Sequence, residues 1–165
     1  MLGRQVRRAA LLLAVLPWLA DCGTGVLYQD SGVPNLYISA NAYSGQFLAA
    51  TLVYLDIRRV TPDCNAEYAG SLKLFSPLAF DRAPTKVHLP EERLSELVFK
   101  FRTAGGNMSA QTSYSTLLRP RAGHTYEAAV TYDAGLYDVE IREIGPHGAA
   151  SRKIEHRALV ECHRA

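Results

Sequence analysis

Histidine and acidic side chains are the residues of this chain whose types could support metal or acid–base chemistry. Five histidines are spread along it: His88, His124, His147, His156 and His163. His124 and His147 lie in Gly/Pro-rich turns, so with Glu91 they could form a metal or hydrolytic site on loops. No His-Glu-x-x-His, Gly-x-Ser-x-Gly or phosphate-loop motif accompanies them. Solvated turn residues are the favoured interpretation, and the sequence predicts no catalytic residue, metal ion or cofactor.

The first 21 residues have the layout of a secretory signal peptide. Three arginines precede an apolar run from residue 9 to residue 20, and Asp21 separates this run from Cys22. Such a run is too short to cross a bilayer core of about 30 Å as a stable helix. Residues 1–21 are therefore predicted to be a signal peptide.

The end of this segment, Leu19-Ala20-Asp21-Cys22, resembles the lipobox of bacterial lipoproteins. The resemblance covers residues 1–22 and implies that Cys22 is lipidated and anchors the protein to a membrane. It departs from the family pattern at Asp21, where a small residue is usual. Gly23 implies sorting to the outer membrane, facing the periplasm. A soluble periplasmic product is expected if Cys22 is not processed.

Cysteine usage agrees with export. Once Cys22 is assigned to lipid, Cys64 and Cys162 remain as an even pair. In an oxidising compartment a disulfide between them is the simplest interpretation, and two unpaired buried thiols are the alternative. Cys162 has a histidine beside it, but no second Cys/His pair completes a zinc site.

Charge gives no reason to expect a nucleic-acid partner. The chain has 18 basic and 16 acidic residues, and loss of the signal's three arginines and one aspartate leaves 15 of each. Binding of nucleic acid depends mainly on neutralising its phosphates. Arg58, Arg59, Arg119 and Arg121 could form a basic rim for an anionic partner, or they could be ordinary solvated loop charges.

Alternation of apolar and polar residues from residue 48 onward predicts strands rather than helices. Pro90 followed by two acids predicts one short helical turn near 90–96. Residues 22–47, rich in Gly, Ser and Asn, are predicted to be a lipid-proximal tether that can add one edge strand. The predicted fold is all-β, a seven-stranded antiparallel two-sheet sandwich over residues 48–163. The seven strands are expected at residues 52–57, 68–75, 97–102, 112–118, 126–132, 137–142 and 154–162.

A stretch of about 40 residues resembles small exported immunoglobulin-like or transthyretin-like sandwich domains. Its motif is Pro-x-x-Gly-x-x-Tyr before a late strand, formed here by Pro120, Gly123 and Tyr126. The resemblance implies that Tyr126 is a structural corner tyrosine, whose hydroxyl ties the preceding loop to the start of the strand.

Two functional hypotheses follow from these features. The first is a non-enzymatic lipoprotein of the bacterial cell envelope that acts by protein–protein contact with an unknown envelope protein, or as a structural or accessory subunit. The second is a periplasmic hydrolase or metal-binding protein with its site on the sandwich loops. A concave pocket with convergent polar groups would favour the second hypothesis.

Overall fold

Nine β-strands in two sheets form nearly all the regular structure of the described residues. The computed structural model describes residues 26–45, 49–78, 83–105 and 108–164, so the signal peptide and Cys22 lie outside the described residues. The strands are β1 (Leu36–Tyr43), β2 (Ala50–Val60), β3 (Ala66–Phe75), β4 (Thr85–Val87), β5 (Ser95–Gly105), β6 (Met108–Leu118), β7 (Thr125–Asp133), β8 (Leu136–Ile144) and β9 (Ser151–Lys153). The predicted all-β, two-sheet sandwich is confirmed, with nine strands instead of seven.

The five-stranded sheet has the order β4-β1-β7-β8-β9. Its strand β1 runs antiparallel to β4 and parallel to β7, with Leu36 opposite Tyr126 and Tyr43 opposite Asp133. Among the described strands, this parallel pair is the one exception to the expected antiparallel arrangement. The alternation that predicted β7 is visible in its burial, because every second side chain from Tyr126 onward is buried.

The four-stranded sheet has the order β3-β2-β5-β6 and is antiparallel throughout. The two sheets pack face to face, as expected for strands with one apolar side each. Their inward side chains form one core that includes Leu36, Ile38, Leu55, Ile57, Phe99, Phe101, Tyr126 and Val130.

Residues 26–43, expected to lie within the tether, belong to the folded domain. Leu36 and Ile38 of β1 are fully buried, and Tyr28 packs on the same core. β1 lies inside its sheet, between β4 and β7, rather than at an edge. The domain therefore begins well before residue 48.

Residues 90–96 contain no helix, so the predicted helical turn was wrong. Residues 91–92 form a turn in which Glu92 has a φ of 58°, and β5 already begins at Ser95. The carboxylates of Glu91 and Glu92 accept hydrogen bonds from the backbone N–H groups of Gly123 and Ala122, both at 3.3 Å. These acids hold a neighbouring loop instead of starting a helix.

The C-terminal segment crosses from one sheet to the other, where a single strand over 154–162 was expected. After β9, Ile154 donates a backbone hydrogen bond to Ile141 of β8, and Leu117 of β6 donates one to Arg157. A 3-10 helix (Leu159–Arg164) follows. The predicted disulfide is present between Cys64 and Cys162, with a Cα–Cα distance of 5.8 Å. It fastens this segment to the turn between β2 and β3.

Candidate functional site

Glu143 is a buried carboxylate on the inner side of the five-stranded sheet. It continues the alternation of Val139 and Ile141 along β8, and only 6% of its side chain is exposed. A carboxylate in this position is costly unless it is paired and hydrogen-bonded. Glu143 and the groups around it are therefore the main candidates for a functional site.

Strand register places two partners of Glu143 directly beside it. Tyr126 lies opposite Glu143 on β7, and Arg152 lies opposite it on β9. The Tyr126 hydroxyl donates to Oε1 at 2.9 Å, and Nη2 of Arg152 donates to Oε2 at 2.5 Å. Three adjacent strands thus form a hydroxyl–carboxylate–guanidinium row in which each carboxylate oxygen is bonded.

Two further groups reach the same carboxylate from the loop that precedes β7. Nε of Arg121 lies 3.7 Å from Oε1 of Glu143. Nδ1 of His124 lies 3.2 Å from the same oxygen, without forming a hydrogen bond. Glu143 therefore faces two guanidinium groups, an imidazole and a phenol.

Tyr126 ties this loop to the start of β7. Its hydroxyl accepts a hydrogen bond from the backbone N–H of Arg121 at 3.0 Å, five residues earlier, while donating to Glu143. The loop turns at Gly123, whose φ of +72° favours a residue without a side chain. Burial raises the pKa of Tyr126 to about 12, so the hydroxyl stays protonated over the physiological range.

Glu143 is held in its ionised form. Burial alone would raise its pKa, but the hydrogen bonds from Tyr126 and Arg152 and the positive charges of Arg121 and Arg152 outweigh burial and hold the pKa of Glu143 below its ordinary value. A general acid near neutral pH needs a raised pKa, so this carboxylate is tuned in the opposite direction. The arrangement suits a structural ion pair better than proton transfer.

A groove of about 540 Å³ opens above this row. Besides Tyr126 and Glu143, it is lined by apolar side chains, which are Leu94, Leu117, Leu118 and Ile154, and by charged side chains from several segments. The charged lining residues other than Glu143 are Arg119, Arg121, Arg152, Lys153, Arg157, Glu92 and Glu155. Because cationic side chains outnumber carboxylates, the groove can receive an anionic group at its rim.

The loop residues proposed for a metal or hydrolytic site are only partly brought together. His124 faces Glu143, whereas Glu91 bonds the backbone of Gly123 and His147 is exposed in a 3-10 turn (Pro146–Gly148). Within residues 26–45, 49–78, 83–105 and 108–164, no three His, Cys, Asp or Glu side chains are arranged to hold a metal ion.

The other three histidines have separate partners. His88 lies 2.9 Å from the carbonyl oxygen of Val33, and His163 lies 3.5 Å from Sγ of Cys64. His156 falls where the sequence predicted a strand over 154–162, and in the structure it is exposed and lies 3.1 Å from the Tyr114 hydroxyl. The reason is that the chain around His156 crosses between sheets instead of pairing as a strand.

The arginines considered as a basic rim separate into different surroundings. Arg58 pairs with the buried Glu96 at 3.2 Å. Arg59 and Arg119 line a second groove, of about 730 Å³, beside the disulfide. Arg119 also lines the groove above Glu143 together with Arg121.

Sequence reasoning did not single out Glu143, Arg152 or Asn35. Glu143 is in phase with the inward residues of β8, so a carboxylate on the apolar side of a strand was the available signal. Arg152 becomes a partner only through the register of β9, which no local pattern reveals. Asn35 is buried, and its side-chain amide bonds both the N–H and the C=O of Leu89. It was missed because it lies in a stretch with the composition of a linker.

Comparisons of the chain with protein-family models, with curated proteins and with solved structures found no match. In the part of the chain that the structure describes, no helix is both long and apolar enough to span a bilayer.

Proposed function

We propose that this chain is an exported, non-enzymatic lipoprotein of the bacterial cell envelope that acts by contact with other protein chains. The observation that carries the proposal is the closed state of the Glu143 site. Both oxygens of the carboxylate are bonded within the protein, its pKa is lowered, and its side chain is nearly inaccessible. A site of this kind joins a loop and three strands, and its carboxylate is bonded within the protein instead of being free to attack or protonate a substrate.

The sequence of the leader supplies the location in this proposal. The basic start, the apolar run and the position of Cys22 support export followed by lipidation. A lipidated Cys22 would attach the domain to the outer membrane, facing the periplasm. If Cys22 is not processed, the same domain is a soluble periplasmic protein.

The disulfide between Cys64 and Cys162 supports an oxidising compartment. Bonds of this type form and persist in exported proteins and are rare in the cytosol. Here the bond closes a loop across a sequence separation of 98 residues. A sandwich fastened in this way is a rigid support for a contact surface.

Metabolic labelling with a fatty-acid analogue, followed by fractionation of the envelope, tests the location. We expect label on the wild type and on Asp21→Ala, which restores the small residue usual before a lipobox cysteine, and none on Cys22→Ser. The label should follow the outer-membrane fraction. An unlabelled wild type would overturn the lipoprotein proposal, with label on Asp21→Ala alone assigning the failure to Asp21, and so would equal label on the wild type and Cys22→Ser.

Function through protein contact is tested by substituting single residues of the closed site in variants that still fold. Glu143→Gln removes the charge, and His124→Ala removes the imidazole. If the protein acts by contact, both variants that fold should still complement deletion of the gene. Loss of complementation by a folded, exported His124→Ala variant would favour a catalytic or metal-binding role instead.

A further inference from the structure

The four sheet edges of this sandwich differ in how well they are protected from pairing with another chain. An exposed edge offers unpaired N–H and C=O groups, and natural proteins shield such edges with short strands, charges or covering segments. β4 and β9 are each three residues long, and they carry Lys86 and the pair Arg152 and Lys153. These two edges are short and charged.

The edge formed by β3 is covered by the chain itself. Tyr28 donates a backbone hydrogen bond to Ser71 at 3.1 Å, and Ser71 donates one to Val26 at 2.8 Å. Gly70 permits this approach, because a side chain there would meet the Tyr28 backbone at 2.5 Å. The same strand carries Glu67 and Lys73 and has two register shifts against β2.

The edge formed by β6 has none of these protections along most of its length. Its 11 residues include no Lys, Arg, Asp, Glu or Pro, in a chain of which 21% is charged. It pairs with β5 in unbroken register from Leu118 to Met108. On its other side, the Arg157 N–H donates to Oγ1 of Thr116 at 3.3 Å, and the one backbone–backbone bond to a described residue is from Leu117 to Arg157, at 3.0 Å.

That bond shows which backbone groups point outward. Since the N–H of Leu117 points away from β5, and backbone groups alternate sides along a strand, the outward groups belong to every second residue. Going back from Leu117, these residues are Ser115, Ser113, Gln111 and Ser109. Within the part of the chain that the structure describes, no backbone group bonds the outward side of these four residues, so they present donors and acceptors along this edge.

We propose that β6 is a dimerisation edge, which pairs antiparallel with β6 of a second copy about a twofold axis at Thr112. This register is the one that uses all four open residues, because it places Gln111 opposite Ser113 and Ser109 opposite Ser115 of the second copy. The two four-stranded sheets then become one continuous eight-stranded sheet.

The chemistry of β6 favours a second copy as its occupant. A twofold axis places each residue opposite a residue of the same strand, so a charged strand would oppose like charges, whereas Ser, Thr, Gln and Ala do not. A half-exposed aromatic cluster also lies beside this edge: the ring of Tyr114 is 6.0 Å from that of Tyr137 and 5.1 Å from that of His156. Residues of a second β6 would lie next to this cluster.

The inference deepens the proposed function, because lipid anchors would confine copies to one membrane surface and raise their effective concentration. It does not depend on lipidation for its test. A dimer can form on a protein whose Cys22 is unmodified, and acylation can occur on a monomer, so the two experiments can fail separately.

Cysteine cross-linking tests the register directly. The two copies of Thr112 form a non-hydrogen-bonded pair, in which Cα atoms of antiparallel strands lie about 4.5 Å apart, within disulfide range. In an exported Cys22→Ser background, which has no cysteine outside the Cys64–Cys162 pair, Thr112→Cys should give a reducible dimer, whereas the background protein and Lys73→Cys, exposed on the covered edge, should not. A Thr112→Cys protein that stays monomeric under oxidation would overturn the proposal.

Paired charge substitutions test the interface without cysteine. The variant Q111K/S113K opposes like charges across the axis, and its matched control Q111K/S113E opposes Lys to Glu twice. By light scattering in mild detergent at low salt, we expect a dimer dissociation constant about 10-fold higher for Q111K/S113K than for Q111K/S113E. Equal dissociation constants for the two folded variants would exclude this interface. A wild type that is monomeric at every protein concentration would also exclude it. The second outcome holds whether a different chain or residues 1–25 occupy the edge.

Discussion

The side-chain amide of Asn35 pairs with the backbone of Leu89 on both sides. Nδ2 of Asn35 donates to the Leu89 carbonyl at 2.8 Å, and the Leu89 N–H donates to Oδ1 of Asn35 at 2.8 Å. The Asn35 backbone also bonds Val87 and Tyr126. The Asn35 side chain therefore makes the two hydrogen bonds that the backbone of a neighbouring strand would make just after β4 ends. These bonds hold the chain after β4 against the start of β1.

Asn35→Ala should destabilise the domain by about 2–4 kcal/mol, because it leaves the buried N–H and C=O of Leu89 without partners. Chemical denaturation of the oxidised protein measures this change. Asn41→Ala, on the exposed side of the adjoining strand β1, is the control and should change stability by less than about 0.5 kcal/mol. Equal effects of the two substitutions would show that the amide pairing contributes little.

Tyr126→Phe should cost about 1.5–3 kcal/mol, since it removes one partner from the Arg121 N–H and one from the Glu143 carboxylate. Tyr37→Phe is the matched control, because the Tyr37 hydroxyl lies 3.5 Å from the Pro34 carbonyl and is only partly buried. The free energies of unfolding of the two variants give the comparison. A Tyr126→Phe protein as stable as Tyr37→Phe would contradict the role given to the corner.

Acid should weaken the domain through Glu143. Its folded-state pKa lies below the value of about 4.3 expected in the unfolded chain. The stabilisation is therefore complete above that unfolded value and is lost as the pH falls through the folded-state pKa. The urea concentration at the unfolding midpoint, measured from pH 6 down to pH 2, should fall less steeply for Glu143→Gln than for the wild type. Parallel curves would show that Glu143 does not carry this dependence.

Cys64→Ser should cost about 2–5 kcal/mol, because the lost bond closes a loop across 98 residues of sequence. Reduction of the wild type should lower its denaturation midpoint to a similar extent. Thiol titration of the unfolded, non-reduced protein should find Cys64 and Cys162 unreactive. Two reactive thiols, or a midpoint insensitive to reductant, would disprove the assignment.

Local alternation predicted the fold class and six of the strands. The runs around Leu55, Phe99 and Val130 each bury one side against the other sheet, so the pattern and the packing agree. β1 was missed as a core strand because its alternating apolar residues lie among Gly, Ser and Asn, a composition typical of linkers. The helical turn at Pro90 was wrong because Glu91 and Glu92 find their partners in a loop distant in sequence.

The site was harder to predict from the sequence than the fold was. Tyr126 and the cysteine pair stood out, one through a motif and the other because few pairings were available. Glu143 and Arg152 meet only through the register of three strands, and the sequence does not encode that register locally. The edge position of β6 likewise becomes visible only when the order of strands is known.

The parallel pairing of β1 with β7 has a consequence for the timing of folding. Leu36 lies opposite Tyr126, about 90 residues later in the chain. A growing chain that ends before β7 has no partner for one side of β1, so Leu36 and Ile38 must wait exposed until most of the chain has emerged. Contacts this distant in sequence make folding slow, on the order of milliseconds to seconds. The pairing of β1 within its sheet is therefore complete only when β7, about 90 residues later in the chain, is available to it.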